Sequence, residues 1–142
     1  MTELDLVVRG DLVLPGPVLH TEAVRRGFPL PALIEAVAGR PTDLFGLSGR
    51  KGRLLPGYDA DFVLFEPAAQ WTFTAASSHS SARHSPYEGR ELVGRPRVTY
   101  VRGRAVCANG EVMAERGYGR WLQRDASAPV PSLATAGPQR VA

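Results

Sequence analysis

Cysteine, lysine and histidine are all scarce in this 142-residue chain. Cys107 stands alone, which excludes an internal disulfide and a cysteine-based zinc site. Its surroundings, Ala105-Val106-Cys107-Ala108, are apolar, so a buried and inert thiol is expected. Lys51 is the only lysine among 17 basic residues, and the arginines are scattered singly or in pairs (Arg25-Arg26, Arg102 and Arg104). The net charge of +3 therefore has no block or stripe behind it, and no nucleic-acid reading motif accompanies it. The three histidines, His20, His79 and His84, include no His-x-His pair. Long apolar runs are absent, as is a basic leader, so neither a transmembrane helix nor a signal peptide is expected and the reading is cytoplasmic.

What is present is ordinary in bulk and informative in order. A hydrophobic fraction of 44% and a charged fraction of 22% suit one globular domain with a modest core. Residues 4–9 and 12–14 read as a β-hairpin about Gly10-Asp11, halted by Pro15-Gly16-Pro17. A helix follows from Val18, with Val18, Leu19, Ala23 and Val24 on one face and Gly27 as its stop. A second is predicted over 30–38, with Pro31 in its first turn, Leu33, Ile34 and Val37 as its apolar face and Gly39 as its stop. A third, short helix opens at Pro41 and closes at Gly46. Strands are expected over 62–65, 70–74, 98–101 and 105–107, with a tight Arg102-Gly103 turn joining the last two. The 62–65 run, ended by Pro67, reads as buried on both faces. Residues 77–88 read as a polar loop, and the tail from about 126 is too poor in apolar residues to fold.

The most specific stretch is Lys51-Gly52-Arg53-Leu54-Leu55-Pro56-Gly57-Tyr58-Asp59-Ala60-Asp61-Phe62-Val63. It resembles the closing segment of the cyclic amidohydrolases: allantoinase, dihydroorotase and hydantoinase. Leu19-His20-Thr21-Glu22-Ala23-Val24-Arg25-Arg26-Gly27 is similar to the helix that ends the allantoinase barrel, and Arg40-Pro41-Thr42-Asp43-Leu44-Phe45-Gly46-Leu47 to helices that follow it. Arg83-His84-Ser85-Pro86-Tyr87-Glu88-Gly89 resembles an element that leans to allantoinase, and Val98-Thr99-Tyr100-Val101-Arg102-Gly103-Arg104-Ala105-Val106 the last strand pair of the accessory β-sandwich. The resemblance implies an α+β fold: a small β-sandwich remnant, with two or three short helices left from the end of a (β/α)8 barrel. Its parts would be sandwich strands over 3–14, barrel-end helices over 18–48, further sandwich over 49–113 and a disordered tail over 126–142. The barrel itself, a unit of roughly 250 residues, has no room here.

The family reaction is metal-dependent hydrolysis of a cyclic amide C–N bond, allantoin to allantoate in purine catabolism. It uses two divalent metals, typically zinc, held by a His-x-His pair, a carboxylated lysine, two more histidines and an aspartate. None of these positions has a counterpart, since Lys51 belongs to the accessory motif. No catalytic, cofactor-binding or metal residue is therefore assigned, and no cofactor is expected in this chain. The remaining constellations read structurally: His79 and His84 as a surface loop, His20 as a helix-surface or interface residue unable to act with Glu22, and Asp59 and Asp61 as turn caps. Ser85 beside His84 makes no triad, and Gly117-Tyr118-Gly119 no phosphate loop. Two functional readings follow: an allantoinase-like chain inactive alone, or a non-catalytic module that docks on a full-length homologue or on itself through exposed apolar helix faces. A small basic nucleic-acid binder is the third and weakest reading; no membrane partner is expected.

Overall fold

A computed structural model describes residues 7–8, 16–78 and 83–125. The predicted 4–9/12–14 hairpin lies outside the described residues except for Val7 and Val8, and the 126–142 tail lies wholly outside them.

The chain is α+β, as expected. Strand β1 (Val7–Val8), helix α1 (Gly16–Arg25), a helical arm over residues 30–44, then strands β2 (Phe62–Thr72), β3 (Glu91–Val101), β4 (Arg104–Ala108) and β5 (Glu111–Val112) follow one another. The strands form one antiparallel sheet in sequence order, β1-β2-β3-β4-β5. Each strand pairs with its chain neighbour, so the sheet needs no crossover. The β3–β4 turn is the predicted one: Arg102 and Gly103 both have positive φ (48° and 77°), the conformation whose twist matches a two-residue hairpin.

Three expectations are corrected by the sheet. The strand predicted over 98–101 begins at Glu91. Pro67 does not end a strand; β2 runs through it, because residues 67–69 bulge out of the ladder between the Glu66–Arg95 and Gln70–Val93 pairs. A proline has no N–H to contribute, and a bulge is where the ladder asks for none. Nor is the 62–65 run buried on both faces: Val63 and Phe65 are buried while Phe62 and Leu64 are only half-buried. Phe62 instead stacks on Tyr100 across the strand pair, ring centroids 4.5 Å apart.

The helices are corrected too. α1 begins at Gly16, with Pro17 in its first turn, and buries Pro17, Val18, His20 and Ala23. Leu19 and Val24, assigned to the same apolar face, are exposed. Its end is as predicted: Gly27 N–H donates to Val24 O and Phe28 N–H to Ala23 O, the paired bonds of a glycine-terminated helix. Gly39 does not stop the second helix. The arm runs as α2 (Leu30–Ile34), a π-helical turn (Glu35–Gly39) and α3 (Arg40–Leu44), with Arg40 N–H reaching back to Glu35 O. Pro41 explains the widened turn: a regular helix would drive its ring against the carbonyl of Val37 and leave one bond unmade.

α1 lies on β3 and carries the core with it. Val18, Phe73 and Leu92 form the buried cluster, Trp71 and Tyr87 pack against it, and the Tyr87 ring meets Phe73 edge-on at 6.4 Å. At the bulge, Thr21 Oγ1 accepts the Val93 N–H at 2.9 Å and His20 Nδ1–H donates to Val93 O at 2.8 Å, so the helix satisfies backbone groups of the disturbed strand. His20, read as a helix-surface or interface residue, is 4% exposed and so not at the surface: it lies between α1 and the sheet, and its ring meets Phe65 edge-on at 4.9 Å. Gly94 permits this approach: its φ is +90°, and a Cβ there would lie 2.5 Å from both His20 Nδ1 and Phe65 Cζ.

Gly94→Ala should therefore destabilise the fold by about 3 kcal/mol, combining overpacking with a left-handed backbone strain. Thermal unfolding followed by circular dichroism measures it, and Gly89→Ala, with open space around its Cβ position, serves as the comparison for backbone strain alone.

Candidate functional site

The 51–61 segment is where charge concentrates. Lys51 Nζ is ion-paired with Asp61 Oδ2 and with Asp59 Oδ2, the latter at 3.1 Å. Asp61 Oδ1 accepts the Arg102 backbone N–H at 2.7 Å, and Gly103 N–H donates to Ala60 O at 2.8 Å. One end of the segment is thus fixed to the β3–β4 turn. At the other end Arg53 forks onto Asp43 through two 2.8 Å bonds and reaches Glu35 Oε1 at 2.9 Å, joining the π-turn to α3. Gly52, between the two cations, has φ +84° and passes so close to the arm that a Cβ would sit 2.9 Å from Ala38 O.

Asp59 and Asp61 are therefore not local turn caps. Asp61 serves a turn 41 residues further on, and both carboxylates hold Lys51. The pKa directions agree with this. For Lys51, burial pushes the ammonium down, but the hydrogen bonds and charges of Asp61 and Asp59 together outweigh it and raise the pKa above 10.5. For Asp43, the Arg53 hydrogen bonds dominate, and its pKa falls from 3.8 to about 2. Arg53 is raised in turn, first by Asp43.

The other sequence candidates do not converge. His20 is buried under β3, Glu22 sits at the surface paired with Arg25 and Arg26, His84 is exposed, and His79 lies outside the described residues. Ser85 Oγ accepts the Tyr87 N–H at 3.2 Å, a turn contact. Tyr118, between Gly117 and Gly119, lies under the Arg102 guanidinium at 4.3 Å and donates its hydroxyl to Val101 O. Cys107 is half-buried rather than buried, and lines a groove.

That groove was not foreseen. It encloses about 830 Å³ between the arm (Leu30, Leu33, Ile34, Val37) and the sheet (Val63, Phe65). The apolar periodicity of the arm was the available signal; that these side chains would face an open gap was not in it.

Among the described residues no group of three or more His, Cys, Asp or Glu side chains could hold a metal ion. The donor chemistry points the same way. A bridging carbamate needs a neutral lysine amine, and the one lysine is an ammonium held between two carboxylates. The described residues do not fit a metal pair of the kind the resemblance implies. No described helix is long and apolar enough to cross a membrane.

Comparison with known proteins gives the lineage. No family model matches the chain. It is 34% identical over 109 residues to an L-hydantoinase of Paenarthrobacter aurescens, covering 76% of this chain and 24% of that one. Against an allantoinase of Streptomyces avermitilis it is 34% identical over 114 residues, 80% of this chain and 25% of the relative. The solved L-hydantoinase (dihydropyrimidinase) from Arthrobacter aurescens superposes with a TM-score of 0.75 at 32% identity, over 82% of this chain and 26% of that structure. A dihydroorotase from Methanothermobacter thermautotrophicus is 38% identical over 86 residues. The chain belongs to the cyclic amidohydrolases, as the 51–63 motif implied, and it spans about a quarter of the length of the curated relatives it matches.

The Asp43–Arg53 pair carries a pH prediction. A carboxyl whose pKa is lowered on folding stabilises the fold at pH above 3.8, and that contribution is lost as pH falls through about 2. Asp43 is a third exposed, so solvent screening reduces the effect to about 1 kcal/mol. Urea unfolding between pH 5 and 2 should show wild type losing about that much more than Asp43→Asn.

Proposed function

We propose that this chain is the accessory part of an allantoinase-like cyclic amidohydrolase and is catalytically inactive by itself. The observation that carries the reading is the Lys51–Asp59–Asp61 ion triad: the one side chain that could supply a carbamate bridge is committed to holding the fold together. The family reaction needs a metal-activated hydroxide to attack a ring amide carbonyl, and the described residues offer no donor set for it. The metals, typically zinc, would sit in the part of the family fold that these residues do not form. Allantoin is favoured as the substrate of the complete enzyme by the Arg83–Gly89 element and by the allantoinase relative, with allantoate as product. Hydantoinase and dihydroorotase relatives of similar identity make hydantoin and dihydroorotate the competing rings.

A second reading rests on the groove. With apolar walls on both sides, and Leu19, Leu33 and Ile34 along its length, it favours a non-catalytic module that associates through this surface. The form we advance is self-association of the chain; docking on a full-length homologue is the other outcome.

Two measurements test these readings. The purified chain, supplied with zinc and offered allantoin, hydantoin and dihydroorotate in turn, should show no turnover above the uncatalysed rate and no stoichiometric metal. Turnover of any of the three would overturn the first reading. Size-exclusion chromatography with light scattering should show a mass that rises with concentration; a monomer throughout that also fails to bind a homologue would overturn the second.

A further inference from the structure

Two apolar walls that face each other across a gap ought to close on one another, since each Å² of apolar surface removed from water is worth roughly 25 cal/mol. In this chain they stay apart. α1 packs closely on β3 and the arm packs on α1, yet among the described elements the arm has no comparable packing against any strand. What links the arm to the sheet is polar and lies at its far end. Arg53 grips Glu35 and Asp43; Lys51, two residues away, is held by Asp59 and Asp61; and Asp61 is bonded to the β3–β4 turn. A second link crosses nearby, where Asp125 N–H donates to Gly46 O at 2.9 Å after the chain has passed the Tyr118–Arg102 contact.

We infer that this ionic bracket is a spacer, which fixes the arm at a set distance from the sheet and keeps the groove open. Both ends of the bracket are rigid where it matters. The Arg53 fork has one geometry on a carboxylate, and Gly52 runs against the arm's backbone, so the segment can neither swing nor shorten. Without the bracket, the arm is held by the hinge at residues 26–29 after α1 and by the single Asp125–Gly46 backbone bond beyond its end, and the apolar walls come together. The groove is thus a conformational device, held ready by charge against its own tendency to collapse. The inference does not depend on the accessory-part reading.

Cys107 on the sheet wall and Ile34 on the arm wall supply a ruler. In the Ile34→Cys chain, mild oxidation should give no intramolecular disulfide, whereas a long flexible bis-maleimide should join the two thiols. A ready disulfide in this chain, its bracket intact, would overturn the inference outright. Adding Arg53→Gln should turn the disulfide from a trace into the major monomeric product while the far-UV spectrum stays that of the parent. Asp43→Asn, which removes one side of the same fork, should give an intermediate yield and stands in if Arg53→Gln does not fold. Disulfide yields that do not change on loosening the bracket in a folded variant would also overturn it.

Discussion

The structure depends on how a short polar segment, residues 51–61, joins a helical arm to a sheet it hardly touches. Each of its charged groups answers to another: Lys51 to Asp59 and Asp61, Arg53 to Glu35 and Asp43. Exposed ion pairs are worth little, because water screens them and long side chains lose freedom in making them. These groups are mostly half-buried and share partners, so they act as a network with a fixed geometry. Its effect is on position more than on stability. Breaking it would leave the arm tethered to α1 and to the single Asp125–Gly46 backbone bond beyond its end.

The hydrophobic core lies elsewhere and does a different job. Val18, Phe73 and Leu92 bind α1 to the sheet near the β2 bulge, where Thr21 and His20 also take up the Val93 backbone groups. Two unlike cements therefore hold one chain. Apolar contact fixes α1, and charge fixes the arm. The groove lies between them, bounded by the element that core packing places and the one that the ionic bracket places.

Much of this was legible in the residues, and the misses have a common cause. The Arg102-Gly103 turn and the Gly27 and Gly46 helix ends are local events written in local sequence, and they appeared where expected. The continuation of β2 through Pro67, the helix through Gly39 and the burial of His20 each depend on something distant: an opposing strand that bulges, a proline two residues ahead that widens a turn, a glycine 74 residues away that makes room for a ring. The ion network is of the same kind. Asp61 looks like a turn cap until the fold brings Arg102 to it, and no spacing rule reports a partner 41 residues off.

The same reasoning supports the proposal that the 51–63 motif marks a lineage and supplies no catalytic group. A catalytic site keeps charged groups in reserve, with pKa values poised near the working pH and lone pairs open to substrate or metal. Here the shifts run the other way: Lys51 is pushed further into its charged range and Asp43 further into its own, each by the partner that holds it. Groups stabilised in the form they already have at neutral pH transfer no protons there. Gly52 must be glycine because the backbone passes against the arm, and Asp61 must accept from a backbone amide because a turn sits beside it. Each of these is a requirement of the fold, and that fold is what the solved L-hydantoinase shares over about a quarter of its length.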